Sequence, residues 1–141
     1  MKILLLLLTT SLSIAVHAQG DNEVPYLTKS LTSAAIEKIV TETSGGNVTV
    51  NGVTAAETKI EVYIQSNNGR NKLSKEEIEK KLAEDYELTV TTKDHQLTAI
   101  ARSKQQNRRN WNSTLIISFK IYAPLNVSTH ITTSGGNISL T

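Results

Sequence analysis

The chain has no cysteine, two prolines, and a single residue each of tryptophan, phenylalanine and methionine in 141 residues. Without cysteine there can be no disulfide framework and no lipid-modified N-terminal Cys. Two isolated histidines in the mature chain, His95 and His130, and scattered carboxylates do not replace thiolates as a transition-metal site. Acidic residues are missing altogether after Asp94. A hydrolase needing a pair of carboxylates in a cleft therefore finds none in the C-terminal third. Long apolar runs are missing too, except at the N-terminus.

That N-terminal run is a targeting signal. Lys2 gives a positive start, Ile3 to Val16 is apolar but softened by Thr9, Thr10, Ser11 and Ser13, and Val16-His17-Ala18 suits a signal peptidase. The run is shorter than the ~20 apolar residues of a spanning helix, so it reads as a secretory signal peptide cleaved after Ala18. Cleavage leaves 123 residues, one domain with room for a core, and no transmembrane segment. Export without disulfides fits a bacterial envelope protein better than a small animal secreted domain. The expected location is the periplasm or the cell surface.

The charge is unevenly distributed. Nine Lys/Arg face thirteen Asp/Glu between Gln19 and Asp94, whereas Arg102, Lys104, Arg108, Arg109 and Lys120 stand alone beyond it. Four of these cations and the only tryptophan fall between Arg102 and Asn112. Guanidinium groups with an indole can grip an anionic sugar or phosphate by charge and stacking. The plain alternative is a polar hairpin loop whose Trp111 covers a sheet edge. Arg102, Lys104, Arg108, Arg109 and Trp111 are the candidate anionic-ligand residues. An exported protein does not normally meet nucleic acid, so the expected partner is an anionic envelope polysaccharide or another envelope protein.

Nothing catalytic converges elsewhere. Asp94-His95 sits in a predicted turn and lacks the third group that acid–base work needs. There is no G-x-S-x-G elbow, H-E-x-x-H helix or phosphate-binding glycine loop, and no cofactor is implied. Asn-x-Ser/Thr triplets at Asn47, Asn112, Asn126 and Asn137 follow from strands rich in those residues.

What is present is alternation. Ile60, Val62 and Ile64 alternate with Glu61, Tyr63 and Gln65; Leu88 and Val90 with Thr89 and Thr91; and Leu115, Ile117, Phe119 and Ile121 with Ile116, Ser118, Lys120 and Tyr122. This last strand carries the bulkiest side chains, which places it at the centre of the core, and Ala123-Pro124 ends it. Asn126 to Thr132 reads as a weaker strand. Asn51-Gly52, Asn68-Gly69 and Lys93-Asp94-His95 read as turns. Ser74 and Glu77 form a capping box, with Leu73 and Ile78 as a hydrophobic staple, so a short helix is expected near residues 74–84. Its Glu76–Lys80 and Glu77–Lys81 pairs belong to a wet face.

One octet occurs twice. Thr43-Ser44-Gly45-Gly46-Asn47-Val48-Thr49-Val50 returns as Thr133-Ser134-Gly135-Gly136-Asn137-Ile138-Ser139-Leu140. Its glycines permit positive φ and a tight turn before each strand. Asn stands where a calcium repeat would need a carboxylate, so the octet is a backbone corner rather than a cation site. Repetition of such a corner predicts stacked strand–turn–strand layers.

These octets, the helix from Ser74 to Tyr86 and the run Phe119-Lys120-Ile121-Tyr122-Ala123-Pro124 give the chain a family likeness. It resembles the bacterial putative-adhesin domains of unknown function, in the exported versions common in Bacteroidetes, over Leu31 to Thr141. The resemblance implies a β-rich domain whose later parts stack into a single-chain β-solenoid, and it carries over no catalytic or binding residue. In that family further layers follow the second Gly-Gly segment, whereas this sequence stops at Thr141 within a strand, so the domain is expected to be C-terminally incomplete.

The expected organisation is a signal peptide over residues 1–18, a linker or arm over 19–33, and a β-rich adhesin-like domain over 34–141. The expected fold class is all-β, mainly antiparallel with one short helix, a β-sandwich-like cap leading into a β-solenoid. The expected function is non-enzymatic: an exported adhesin-like scaffold presenting a β surface to a polymer or protein. The alternative is an envelope-stress or signalling accessory that binds a membrane protein.

Overall fold

The computed structural model describes residues 23–69, 72–104 and 114–141. Residues 1–18, expected from sequence to be a signal peptide, lie outside them. Among the described residues nine strands form in chain order: β1 (Leu27–Ser30), β2 (Lys38–Thr43), β3 (Val48–Gly52), β4 (Lys59–Ser66), β5 (Tyr86–Lys93), β6 (Gln96–Ser103), β7 (Leu115–Ala123), β8 (Ser128–Thr133) and β9 (Ile138–Leu140). Among the described residues one α-helix, α1 (Lys75–Asp85), falls between β4 and β5. The strands make a five-stranded sheet ordered β1-β4-β7-β3-β9 and a four-stranded sheet ordered β5-β6-β2-β8. Neither sheet closes.

The inward residues of both sheets share one apolar cluster. Leu115, Ile117, Phe119 and Ile121 of β7 are buried in it, as expected of the strand with the bulkiest side chains, opposite Ile39, Leu97, Ala99 and Ala101. Polar links cross between the sheets. Tyr86 of β5 accepts the Leu115 N–H at 2.8 Å and lies 3.3 Å from the Leu115 carbonyl, while Thr43 donates to the Ile117 carbonyl at 2.7 Å.

The all-β expectation holds, but mainly antiparallel pairing does not. β1–β4, β4–β7 and β5–β6 are antiparallel, whereas β2–β6, β2–β8, β3–β7 and β3–β9 are parallel. The reason lies in the octets. Each carries the chain from one sheet to the other instead of folding it back on its neighbour, so successive corners stack in the same direction. Three layers result: β6 with β7, β2 with β3, and β8 with β9. The two octets lie in register, Thr43 on Thr133, Val48 on Ile138 and Val50 on Leu140.

Local signals fare well where a short-range mechanism governs them. Ser74 caps α1 as predicted, its hydroxyl accepting from Glu77 N–H at 3.2 Å while the Glu77 carboxylate returns to the Ser74 N–H at 2.8 Å. Leu73 and Leu82 pack beside the core. Lys75 and Glu79 make an i,i+4 pair at 3.8 Å. Asp94 and His95, at φ 50° and 61°, form the two-residue turn that joins β5 to β6. Gly69, at φ 60°, closes the turn after β4.

Three expectations change. Asn51-Gly52 is not a turn, because both residues continue β3 in register with Tyr122 and Ala123. Leu27–Ser30, read from sequence as part of an arm, pairs antiparallel with β4, and Leu31 is buried behind it. The short strand has no alternation strong enough to stand out alone. Finally, among the described glycines positive φ occurs at Gly69, not at the octet corners. The corner glycines answer to space: a Cβ on Gly46 would lie 2.0 Å from the Ile117 carbonyl oxygen, and one on Gly136 2.0 Å from that of Gly46.

Candidate functional site

Antiparallel pairing of β4 with β7 brings together polar side chains far apart in sequence. On the outward face Lys59 lies opposite Tyr122, Glu61 opposite Lys120, and Tyr63 opposite Ser118. β1 sets Thr28 beside Glu61, and β3 sets Thr49 beside Lys120 and Asn51 beside Tyr122. Glu61 is buried by these neighbours although it faces out, with 9% of its surface exposed.

The side chains form a network. Lys59 Nζ lies 2.7 Å from Glu61 Oε1, and the Tyr63 hydroxyl donates to Glu61 Oε2 at 2.9 Å. The Lys59 ammonium is 4.7 Å from the centre of the Tyr122 ring, and the Lys120 ammonium 5.7 Å from it, both within cation–π range. Burial pushes the Glu61 carboxyl up, but hydrogen bonds from Lys59 and Tyr63, with the charges of Lys59 and Lys120, outweigh it and hold the carboxyl below its usual value. Burial first, then the bond to Glu61, pushes the Tyr63 phenol up to about 12. Glu61 is thus an occupied anion. Among the described residues, Lys120 has no carboxylate within ion-pair distance. The face offers a cation, ring surfaces and hydroxyl and amide groups on a rigid sheet, a combination suited to holding an anionic chain by charge and stacking.

The sequence-predicted residues are placed differently. Arg102 of β6 makes a two-pronged bond to Glu42 of β2, at 2.7 and 2.6 Å, which pulls the Glu42 carboxyl down. Lys104 Nζ donates to the Ala83 carbonyl at 2.8 Å at the end of α1. Both cations are therefore tied to the domain itself. Arg108, Arg109 and Trp111 lie outside the described residues. They belong to the segment leading into β7, the strand that carries Lys120 and Tyr122.

Sequence reading missed the sheet face because each strand's polar alternates look like ordinary wet positions. The available signal was that Tyr63 and Tyr122, two of four tyrosines, fall on the polar side of their strands. His95 faces main chain, its Nδ1 3.1 Å from the Ala35 carbonyl and 3.3 Å from that of Ala34. His130 is exposed. Among the described residues no three His, Cys, Asp or Glu gather as metal ligands, and no helix is long and apolar enough to cross a membrane.

Fold and face define a class: a two-sheet all-β domain with stacked corners and a mixed cationic and aromatic sheet surface. No family model matches the chain, and no curated protein does. Among solved structures, a putative adhesin from Bacteroides fragilis is similar over 82% of this chain and 43% of its own, with 14% identity and a TM-score of 0.44. The chain thus spans less than half the length of that neighbour.

Proposed function

We propose that the chain is an exported, non-enzymatic, adhesin-like envelope protein that presents the outward face of its five-stranded sheet to an anionic polysaccharide. The observation that carries this reading is the Lys59–Glu61–Tyr63 network set against Lys120 and Tyr122. Glu61 is neutralised within it, and Lys120 is left to meet an outside anion. Arg108, Arg109 and Trp111 carry the same chemistry in sequence, between β6 and β7, and Arg102 and Lys104 precede them. The stacked corners are read as the first layers of a β-solenoid, with the polymer face running along its side.

Retention on immobilised alginate at low ionic strength tests the reading, because electrostatic contacts are least screened there. Lys120→Glu combined with Tyr122→Ala should weaken retention by about tenfold or more. Arg108→Glu with Arg109→Glu should lower it further. Unchanged retention by folded variants would overturn the polymer reading.

A further inference from the structure

At the end of the stack away from β8 and β9, the outermost strands of the two sheets are β1 and β5. β5 lies in the middle of the chain, so its outer edge belongs to the fold itself. Lys93 and Gln96 flank the two-residue Asp94-His95 turn, and residues so placed exchange both of their main-chain hydrogen bonds. Alternation from that pair turns the N–H and C=O groups of Thr92, Val90, Leu88 and Tyr86 away from β6. The Tyr86 N–H is taken by the Leu82 carbonyl at the end of α1. Leu88, Val90 and Thr92 are left as an outward ladder.

The side chains of this stretch favour pairing. Leu88-Thr89-Val90-Thr91-Thr92 carries no charge, glycine or proline, and four of its five residues are β-branched. Such a strand at a sheet edge is a template for another chain. One side chain stands in the way. Leu27, Lys29 and Leu31 follow the inward period of β1, with Leu27 opposite Val62 and Lys29 opposite Ile60, both core residues. Lys29 breaks that apolar series. Its side chain crosses from the first sheet to the second, where Nζ lies 3.5 Å from the Val90 carbonyl at the middle of the ladder. Among the described residues no carboxylate lies within ion-pair distance of it. Packing alone would be served better by an apolar residue here.

We infer that Lys29 is a gatekeeper of the β5 edge, keeping it from pairing with the same edge of a second copy of this chain. A strand added to β5 would claim the Val90 carbonyl, strip the ammonium of that bond and leave it buried and uncompensated. Two copies paired antiparallel about Val90 would also bring both Lys29 ammoniums to one place, like charge against like. A charge directed inward at an open edge is a known means of blocking such pairing. The inference rests on the two-sheet fold and is independent of polymer binding.

The test compares the parental protein with Lys29→Met, which keeps an unbranched stem without the charge, and with Lys29→Arg, which keeps the charge. Amide hydrogen exchange at Leu88, Val90 and Thr92 is followed as protein concentration is raised. In Lys29→Met these amides should slow by about tenfold or more, in step with a rise in sedimenting mass. In the parental protein and in Lys29→Arg their exchange should not depend on concentration. A lysine that only packs would alter stability in these variants without making exchange at these amides concentration-dependent. Should Lys29→Met lose the parental circular dichroism, Lys29→Gln makes the same comparison with a polar, uncharged side chain. Concentration-independent exchange at these amides in the folded neutral variant would overturn the inference. So would slowing in the parental protein, or equal slowing in Lys29→Arg and the neutral variant.

Discussion

At the scale of single residues, adjacent glycines carry opposite demands. A Cβ on Gly45 would meet nothing within 4 Å, while one on Gly46 would collide with the Ile117 main chain. Neither has positive φ. Gly45→Ala should therefore be neutral or stabilise by up to about 1 kcal/mol, through loss of unfolded-chain freedom. Gly46→Ala should destabilise by about 1–3 kcal/mol or more, because main chain must move. Urea midpoints of the two variants decide it, and equal midpoints would mean that the corners do not stack as described. The Glu61 network has a pH signature of its own. With its folded value lowered, Glu61 contributes stability above the ordinary 4.5, which is lost as pH falls through the lowered value. With its folded value raised, Tyr63 contributes stability below 10.0, which is lost as pH rises toward about 12. Phenolate absorbance should thus keep rising to about pH 12, and Tyr63→Phe should remove that last step.

At the scale of elements, the helix and the stacked corners differ in how far they depend on distant partners. The α1 helix is specified by its own cap and holds no fully buried residue. Ser74→Ala should cost about 1 kcal/mol of helix stability and show as lost helical signal in circular dichroism, with the strands unaffected. A global loss of structure would show instead that α1 is integral to the core. Such elements were legible in the sequence because their cause is local: the Ser74–Glu77 box, the Asp94-His95 turn and the alternation along β7. The parallel pairings were not. Nothing within Lys38 to Thr43 says that it lies between residues 96–101 on one side and 128–133 on the other. The repeated octet foretold stacking, but the glycines were explained by turn angle when the true demand is a close carbonyl. The sheet face was illegible for a related reason. Glu61 and Lys120 meet only once β4 and β7 pair, and each alone is an ordinary strand polar residue.

At the scale of the whole molecule, stability should fall along the stack. The layers of β6–β7 and β2–β3 are covered on both sides, and their inward residues are sealed. The β8–β9 layer is bonded on one side, with Ile138 and Leu140 half-exposed and Leu125 86% exposed nearby. Less apolar surface is therefore buried per residue ordered there, and local opening costs less than global unfolding. Native-state hydrogen exchange should show Ser134 and Thr141 amides, which bond inward to Thr43 and Val50, exchanging by local opening at least about 2 kcal/mol below the global value. The Phe119 amide, bonded to the Asn47 carbonyl at 2.9 Å in the middle of the stack, should exchange only with global unfolding. Replacing Ile138 with Ala should then speed exchange in β8 and β9 and leave Phe119 unchanged, whereas Val48→Ala in the sealed layer should lower the protection of both. Equal protection across the three layers would mean that the β8–β9 layer is as integral to the core in solution as the two beside it.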